Sequence, residues 1–450
     1  MNFKINPSAL GKAAAASLLS ALLATTASAH DNVPARAQVQ PVTIVGATIH
    51  TVSGDDIRNG RVRFEDGRIV AVGGSDVSTD GSQIIDASGQ QLYPGYIAVD
   101  GTLGLSEVSA VRATVDVAEV GANNADVRAD TAFNADSEIV PVTRANGVLL
   151  ALSVPGSSSG NVISGRSALM QLDGWTQEDM LVKAPVALHV NWPGGAIPSW
   201  LPPPAQQAAR EAQKTGRATL RSAFEAAKRY AAGKSSGKGL VVDRRLEAML
   251  DAVEGRQPVF FQADDAQSIQ ESLDFAREFG LKAVIVGGAD AWQLTDALKA
   301  QDVPVILSGL NRLPRTRDDA IDSIYSAPAK LAAAGVEFAI SNGGGGFATS
   351  NLRNLPYQAA AAVGFGLTPA QALRAITLTP ARILGVDDRY GSIGNGLSAT
   401  LFLADGDALE PATRVTRAWI DGREIDLSSR HTRLYDKYRQ KYPETRDTAR

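Results

Sequence analysis

Pro94-Gly95-Tyr96-Ile97-Ala98-Val99-Asp100-Gly101-Thr102-Leu103-Gly104-Leu105 combines a Pro-Gly step, an apolar run of strand length and two polar side chains at alternate positions, Asp100 and Thr102. Pro-Gly punctuates the chain, and residues 97–99 read as a short buried strand. The place of that strand in a fold follows from what lies on either side of it.

Upstream, residues 42–45, 48–52, 61–64 and 68–72 alternate or run apolar, separated by Gly46, Gly54, Asp66-Gly67 and Gly73-Gly74. This is the pattern of short strands and turns, and Glu65-Asp66-Gly67-Arg68 predicts a tight hairpin. The same texture returns at residues 399–404 and 414–420, with Asp421-Gly422 as a second hairpin turn. Two β-rich ends around a different middle predict one small sheet domain assembled from both termini.

Downstream, apolar runs at residues 148–154, 168–172, 186–190, 258–261, 283–286, 303–307 and 336–340 follow the one at 97–99. Between the later ones lie helical spacings, such as Ala266, Ile269, Leu273 and Ala276, and helical stretches over 290–300, 328–334, 354–366 and 369–378. Buried strands separated by helices imply parallel pairing through crossovers. Eight of them predict a (β/α)₈ barrel, with its chemistry at the C-terminal ends of the strands. Residues 206–232, rich in Ala, Arg and Lys, read as a helical insertion after the fourth strand. A lid is one reading of it; the charge pattern favours a solvated surface helix.

Composition sets the remaining bounds. Of 450 residues, 44% are hydrophobic and 20% charged, an ordinary globular balance. A net charge of −4 gives no reason to expect nucleic acid or an anionic membrane as partner. Cysteine is absent, which excludes disulfides and thiolate zinc sites. Residues 1–29 have the form of a signal peptide: Lys4 and Lys12, an Ala/Leu-rich stretch over 13–24 too short for a permanent span, and Ala27-Ser28-Ala29 as cleavage site. The expectation is export, with His30 as the mature N-terminus and a periplasmic location.

Three blocks in order then carry a resemblance. The first is Asp66-Gly67-Arg68-Ile69-Val70-Ala71-Val72-Gly73 with Ile85-Asp86-Ala87-Ser88-Gly89 and Pro94-Gly95. The second is Leu367-Thr368-Pro369-Ala370-Gln371-Ala372-Leu373-Arg374-Ala375-Ile376-Thr377-Leu378-Thr379-Pro380-Ala381, running into Leu384-Gly385 and Gly391-Ser392-Ile393. The third is Ile420-Asp421-Gly422-Arg423. In this order the chain resembles the amidohydrolase superfamily, most nearly its exported imidazolonepropionase-like branch, over residues 41–435. The resemblance implies a distorted (β/α)₈ TIM barrel plus a small β-sandwich built from both ends of the mature chain. The expected boundaries are 1–29 signal peptide, 30–93 N-terminal part of the sandwich, 94–385 barrel, and 386–450 C-terminal part of the sandwich with a charged tail.

The resemblance also implies zinc or another divalent metal at the barrel mouth, held by His-x-His on the first strand, a Lys or Glu midway, His on the fifth and sixth strands and Asp on the eighth. Such a metal activates water and polarises the scissile carbonyl. At the corresponding positions this chain has Asp100 and Thr102, Gln262, Gly287, and Asn342-Gly343. Of the four histidines, only His189 lies on a barrel strand. No cofactor is therefore expected, and no metal residue is assigned. Asp100, His189 and Asp264 are the catalytic candidates, and with Glu107 they are the groups from which a site for a harder cation could be built. Against this, Asp264 fits a helix cap with Gln267, Asp100 a loop cap and His189 a hydrogen-bonded core histidine. Glu107, Asn191, Ser308 and Asn342 complete the expected pocket. Gly156-Ser157-Ser158-Ser159-Gly160 matches G-x-S-x-G, but the residues after it read as loop and strand rather than the helix a nucleophile elbow requires. The glycines of Ser341-Asn342-Gly343-Gly344-Gly345-Gly346 could cradle an anion or simply loosen a loop.

Two functions stand side by side. One is a hydrolase of non-peptide C–N bonds in small amides, cyclic ones included, with its usual metal-dependent activity lost or weakened. The other is a pseudo-hydrolase that binds a small ligand or protein partner without turnover. A small molecule in the barrel mouth is the expected partner, with no nucleic acid and no permanent membrane span; a homodimer is left open.

Overall fold

The computed structural model describes residues 33–158, 160–236 and 241–441. The signal-peptide reading of residues 1–29 and the position of His30 lie outside them. Among the described residues, the strands in chain order are β1 Val42–Ile49, β2 Ile57–Glu65, β3 Arg68–Gly73, β4 Gln83–Asp86, β5 Gln91–Pro94, β6 Tyr96–Ala98, β7 Val148–Ser153, β8 Ile163–Arg166 and β9 Ala168–Gln171. They continue with β10 Leu181–Lys183, β11 Leu188–Asn191, β12 Val259–Ala263, β13 Ala283–Gly287, β14 Val305–Ser308, β15 Phe338–Ser341, β16 Leu401–Ala404, β17 Val415–Ile420 and β18 Arg423–Glu424. The result is a mixed α/β fold with three sheets. No helix among the described residues is long and apolar enough to cross a membrane.

The largest sheet is assembled from both ends of the chain. Its order is β18-β17-β16-β5-β1-β2-β3, with β4 pairing β1. The join is β5 against β16, antiparallel, with Tyr93 opposite Phe402 and Leu92 opposite Leu403. One face buries Ile44, Ile49, Val62, Phe64, Leu92, Leu401 and Trp419 together, with the Phe64 and Trp419 rings edge to face at 5.9 Å. This is why the two ends alternate apolar and polar residues: one side of each strand faces this core.

Both Asp-Gly steps form hairpin turns. Asp66-Gly67 joins β2 to β3, with Glu65 opposite Arg68 and φ values of +49° and +78°. Asp421-Gly422 joins β17 to β18 at +45° and +74°. Positive φ at both central residues is what the tight hairpin demands. The two turns touch although they come from opposite ends of the chain: a Cβ on Gly67 would stand 2.9 Å from the Asp421 carbonyl oxygen.

The other two sheets carry the middle of the chain. One has the order β10-β9-β7-β6 and the other β15-β14-β13-β12-β11-β8. β11 through β15 are parallel neighbours, as are β6 and β7. The third expected strand breaks the parallel pattern. Expected over residues 168–172, it is β9, antiparallel to β7, and β8, separated from it only by Ser167, is antiparallel to β11. Among the described residues no helix lies between β7 and β8, and without a long crossover a parallel return is not available. One segment therefore serves both sheets. At their other edges, the Ile97 amide donates to the Ile376 carbonyl and the Ile340 amide to the Ala375 carbonyl, both at 2.9 Å. Strand pairing as such yields two open sheets rather than eight parallel strands in a ring.

The helices differ from expectation in detail. The insertion forms the helix Pro203–Ser235, which buries only Leu220, Phe224 and Ala227. Phe224 meets Phe275 and Phe279 on the helix Ala266–Phe279, with centroids 5.3 and 5.7 Å away. The rest of its surface is solvated. A buried ion triad ties the large sheet to the middle of the chain. Asp173 accepts from Arg144 at 2.8 Å and from Arg423 at 3.0 Å. Such a triad is costly to break, because removing one partner leaves a charge stranded in the interior.

Gly67→Val tests the contact between the two turns. A β-branched residue at φ +78° beside a carbonyl 2.9 Å away should lower stability by about 1–3 kcal/mol or more. Urea unfolding of the purified variant checks this.

Candidate functional site

Parallel strands point their C-terminal ends the same way, so the residues ending β11, β12, β13 and β14 and those just after β6 and β15 meet on one side. There they line a cavity of about 530 Å³. Asp100, Thr102, His189, Asn191, Gln262, Asp264, Gly287 and Ser308 all reach it. Glu107, Asn342 and Gly343 are not on its wall. The Asn342 side chain donates to the Ala348 carbonyl at 2.9 Å and accepts from Gln358 at 3.0 Å, which spends it on holding the loop after β15. Gly343, at φ +97°, gives its amide to the Ser341 hydroxyl. It is the next residues, Gly344 to Gly346, that face the cavity.

Asp100 is the centre of the arrangement. Its residue is 3% exposed, and its carboxylate accepts from the Ser308 hydroxyl at 2.7 Å. The Gly344 amide also supports it, and a Cβ on Gly344 would sit 2.9 Å from the carboxylate. The glycine run is thus required where the loop backbone approaches a buried charge. Burial pushes the Asp100 carboxyl up to about 6; the Ser308 hydrogen bond opposes this, nearby Asp264 adds to it and the Gly344 amide opposes it.

Asp264 does not cap the following helix. That role falls to Asp265, which accepts from the Ser268 amide at 2.9 Å. Asp264 instead accepts from Arg312 at 3.1 Å and from the Ala289 amide at 3.3 Å. Gly287 is glycine because a Cβ there would lie 2.9 Å from the Asp264 carboxylate. Thr102 gives its amide to the Thr349 hydroxyl and shares a hydroxyl contact with it.

His189 is 7% exposed. Its ring meets Phe260 edge on at 5.2 Å, and its Nε2 has no hydrogen-bond partner. It is not the hydrogen-bonded core histidine that its strand position suggested, at least at this nitrogen. Burial pushes its pKa down to about 3, so the ring is neutral. Asn191 lies beside Gln262 in the β11–β12 register and donates to Asn161 at 2.7 Å.

The sequence reading missed Ser106, Ser109 and Ser164 on the wall, and it missed Arg312. No motif marks a lone serine or arginine in a loop. Ser157 lines the cavity too, and the segment after its loop enters β8, so no nucleophile elbow forms there.

These residues do not fit a divalent metal. Among the described residues, no group of three or more His, Asp or Glu is placed to hold one. Asp264 is already paired with Arg312, which leaves Asp100 and His189 on the cavity wall, fewer than the three protein ligands such a site needs. No step through a metal is derived.

Residues 308–425 match the amidohydrolase family. That stretch begins at Ser308, the donor to Asp100, and runs through β18. The structure is similar to an amidohydrolase from Thermotoga maritima MSB8, with a TM-score of 0.76 and 25% identity over 86% of this chain and 99% of that one. It also shares its fold with a prolidase complexed with N-methylphosphonate-L-proline (TM-score 0.52, 14% identity, 86% and 99% covered). A molinate hydrolase shares it likewise (TM-score 0.51, 14% identity, 88% and 96%). No curated protein matches the chain.

Asp100 binds its proton more tightly in the folded chain than in the unfolded one, so its ionisation opposes folding. The penalty is complete above about pH 6 and disappears below 3.8, the ordinary value; it is on the order of 3 kcal/mol. His189 works the other way: its cost appears as pH falls below 6.5 and masks the effect in the parent. Asp100→Asn should therefore be more stable than the parent at neutral pH by ~1 kcal/mol or more, with the difference gone by about pH 4. Urea melts across this range measure it.

Proposed function

We propose that this chain is an exported amidohydrolase homologue of the imidazolonepropionase-like branch whose pocket binds a small molecule and whose metal-dependent hydrolysis is lost or strongly weakened. In this reading the two smaller sheets are the walls of a distorted (β/α)₈ barrel over residues 94–385. The large sheet is the counterpart of a two-ended β-sandwich, residues 30–93 with 386–450. The periplasm is the proposed location, with cleavage after Ala29.

The observation that carries the reading is the setting of Asp100. The first-strand position that would ligate a metal in the resemblance holds a buried carboxylate, supported by the Ser308 hydroxyl and the Gly344 amide. Apart from Asp264, which is paired with Arg312, and His189, the cavity is lined by hydroxyls, amides, apolar side chains and glycine backbone. Such a wall can orient a ligand by hydrogen bonds, but it supplies no group to lower the pKa of water in the manner of a bound metal. The family match over residues 308–425 favours the other reading, in which hydrolysis of non-peptide C–N bonds persists.

Elemental analysis of the mature protein purified from the periplasm, paired with hydrolysis of small linear and cyclic amides before and after chelation, separates the two. The expected result is substoichiometric metal and no chelator-sensitive hydrolysis. Stoichiometric zinc, with an amidase or lactamase activity abolished by the chelator, overturns the proposal. N-terminal sequencing of the same material should begin at His30.

A further inference from the structure

We propose that the cavity takes a small hydroxylated organic cation, a primary ammonium compound, whose ammonium group sits against Asp100 with His189 as a second acceptor. This rests on the reading of the cavity as a binding pocket, and it names the chemistry of the occupant.

The first argument is charge balance. Three ionisable side chains line the cavity: Asp100, Asp264 and His189. Asp264 already has its counter-charge in Arg312 at 3.1 Å. Asp100 has none: its partners are a serine hydroxyl and a glycine amide, both neutral. A carboxylate with 3% exposure and no compensating cation is costly in a protein interior. An entering cation removes that cost, and a charge-assisted hydrogen bond is among the stronger polar contacts. An anion would instead face the uncompensated Asp100 carboxylate.

The second argument is independent of the acids. The Nε2 atom of His189 is buried and has no partner, on a residue that lines the same cavity. A neutral imidazole presents one lone pair, and an ammonium group carries more donors than one carboxylate oxygen can use. What distinguishes this unpartnered atom is that its residue lines the cavity, where a ligand donor can reach it. The third argument is the rest of the wall. Between its valines, the wall presents Ser106, Ser109, Ser164, Asn191 and Gln262, which can each give and take hydrogen bonds with hydroxyl groups along the ligand.

A matched series tests this: glucamine, sorbitol and gluconate share a six-carbon hydroxylated chain and differ in charge. Calorimetric titration of the mature protein at neutral pH should show glucamine binding at least about tenfold more tightly than sorbitol, with gluconate weakest. Asp100→Asn should remove the preference for glucamine over sorbitol, and His189→Leu should weaken glucamine more than sorbitol. Asp296→Asn, on the outlying helix Thr295–Ala300, should leave all three unchanged. Melting curves establish that each variant is folded.

Equal binding of glucamine and sorbitol, a preference that survives Asp100→Asn, or no binding by any of the three overturns the assignment of the occupant. None of those results touches the metal and chelator measurements, which judge the binding-pocket reading separately.

Discussion

Gly95 is a single residue at which the chain passes from one sheet to another. It stands between β5, the last N-terminal strand of the large sheet, and β6, the first strand of the middle sheets. Its amide donates to the Thr400 carbonyl at 3.0 Å, and the next amide, Tyr96, donates to Gly147 at 2.9 Å. One residue thus bonds to the C-terminal end of the chain, and its neighbour bonds to the middle. A Cβ at Gly95 would lie 2.9 Å from the Leu149 side chain, so only glycine permits the approach. Strand β6 and Asp100 after it are positioned by this crossing. So is the β5–β16 join, because Pro94 pairs with Leu401 immediately before it. The two hydrophobic cores, the sheet made from both ends and the depth of the central carboxylate all follow from where this step is pinned.

The cavity shows how two acids on one wall can differ in charge environment. Asp264 and Asp100 both face it, but their surroundings differ. One is matched by a guanidinium from a loop, and the other is left with neutral donors. The electrostatic character of the pocket is set by that asymmetry, since a paired acid contributes little field and an unpaired buried one dominates. The glycine run after β15 serves the same end. It lets backbone come within reach of Asp100 where any side chain would collide, so here the glycines support a carboxylate belonging to the protein rather than an external anion.

Much of this was legible because it is local. Asp66-Gly67 and Asp421-Gly422 announce hairpins by needing positive φ at two successive residues. The alternation in residues 42–72 and 399–420 announces a sheet with one buried face. The buried runs at 258–261, 283–286, 303–307 and 336–340 announce the parallel strands, because helices separate them. The direction of β8 and β9 was not legible, since an apolar run carries no arrow and its two partners lie in different sheets. The cap of the helix Ala266–Phe279 shows the limit at a single residue. Asp264 and Asp265 are both suitable cap types, and only backbone geometry assigns the role to Asp265, leaving Asp264 for Arg312.

By itself the sequence determined most element types, the two-ended sheet and the resemblance to amidohydrolases. Residue identity and short-range spacing are enough for each of these. Tertiary structure alone decided which of the candidate site residues share a cavity, that Asn342 is committed to its loop, that His189 is left with a bare nitrogen and that Asp100 has no counter-charge. Each of these depends on which distant side chain arrives within about 3 Å, and partners 200 residues apart in sequence, such as Asp100 and Ser308, leave no periodic trace in it.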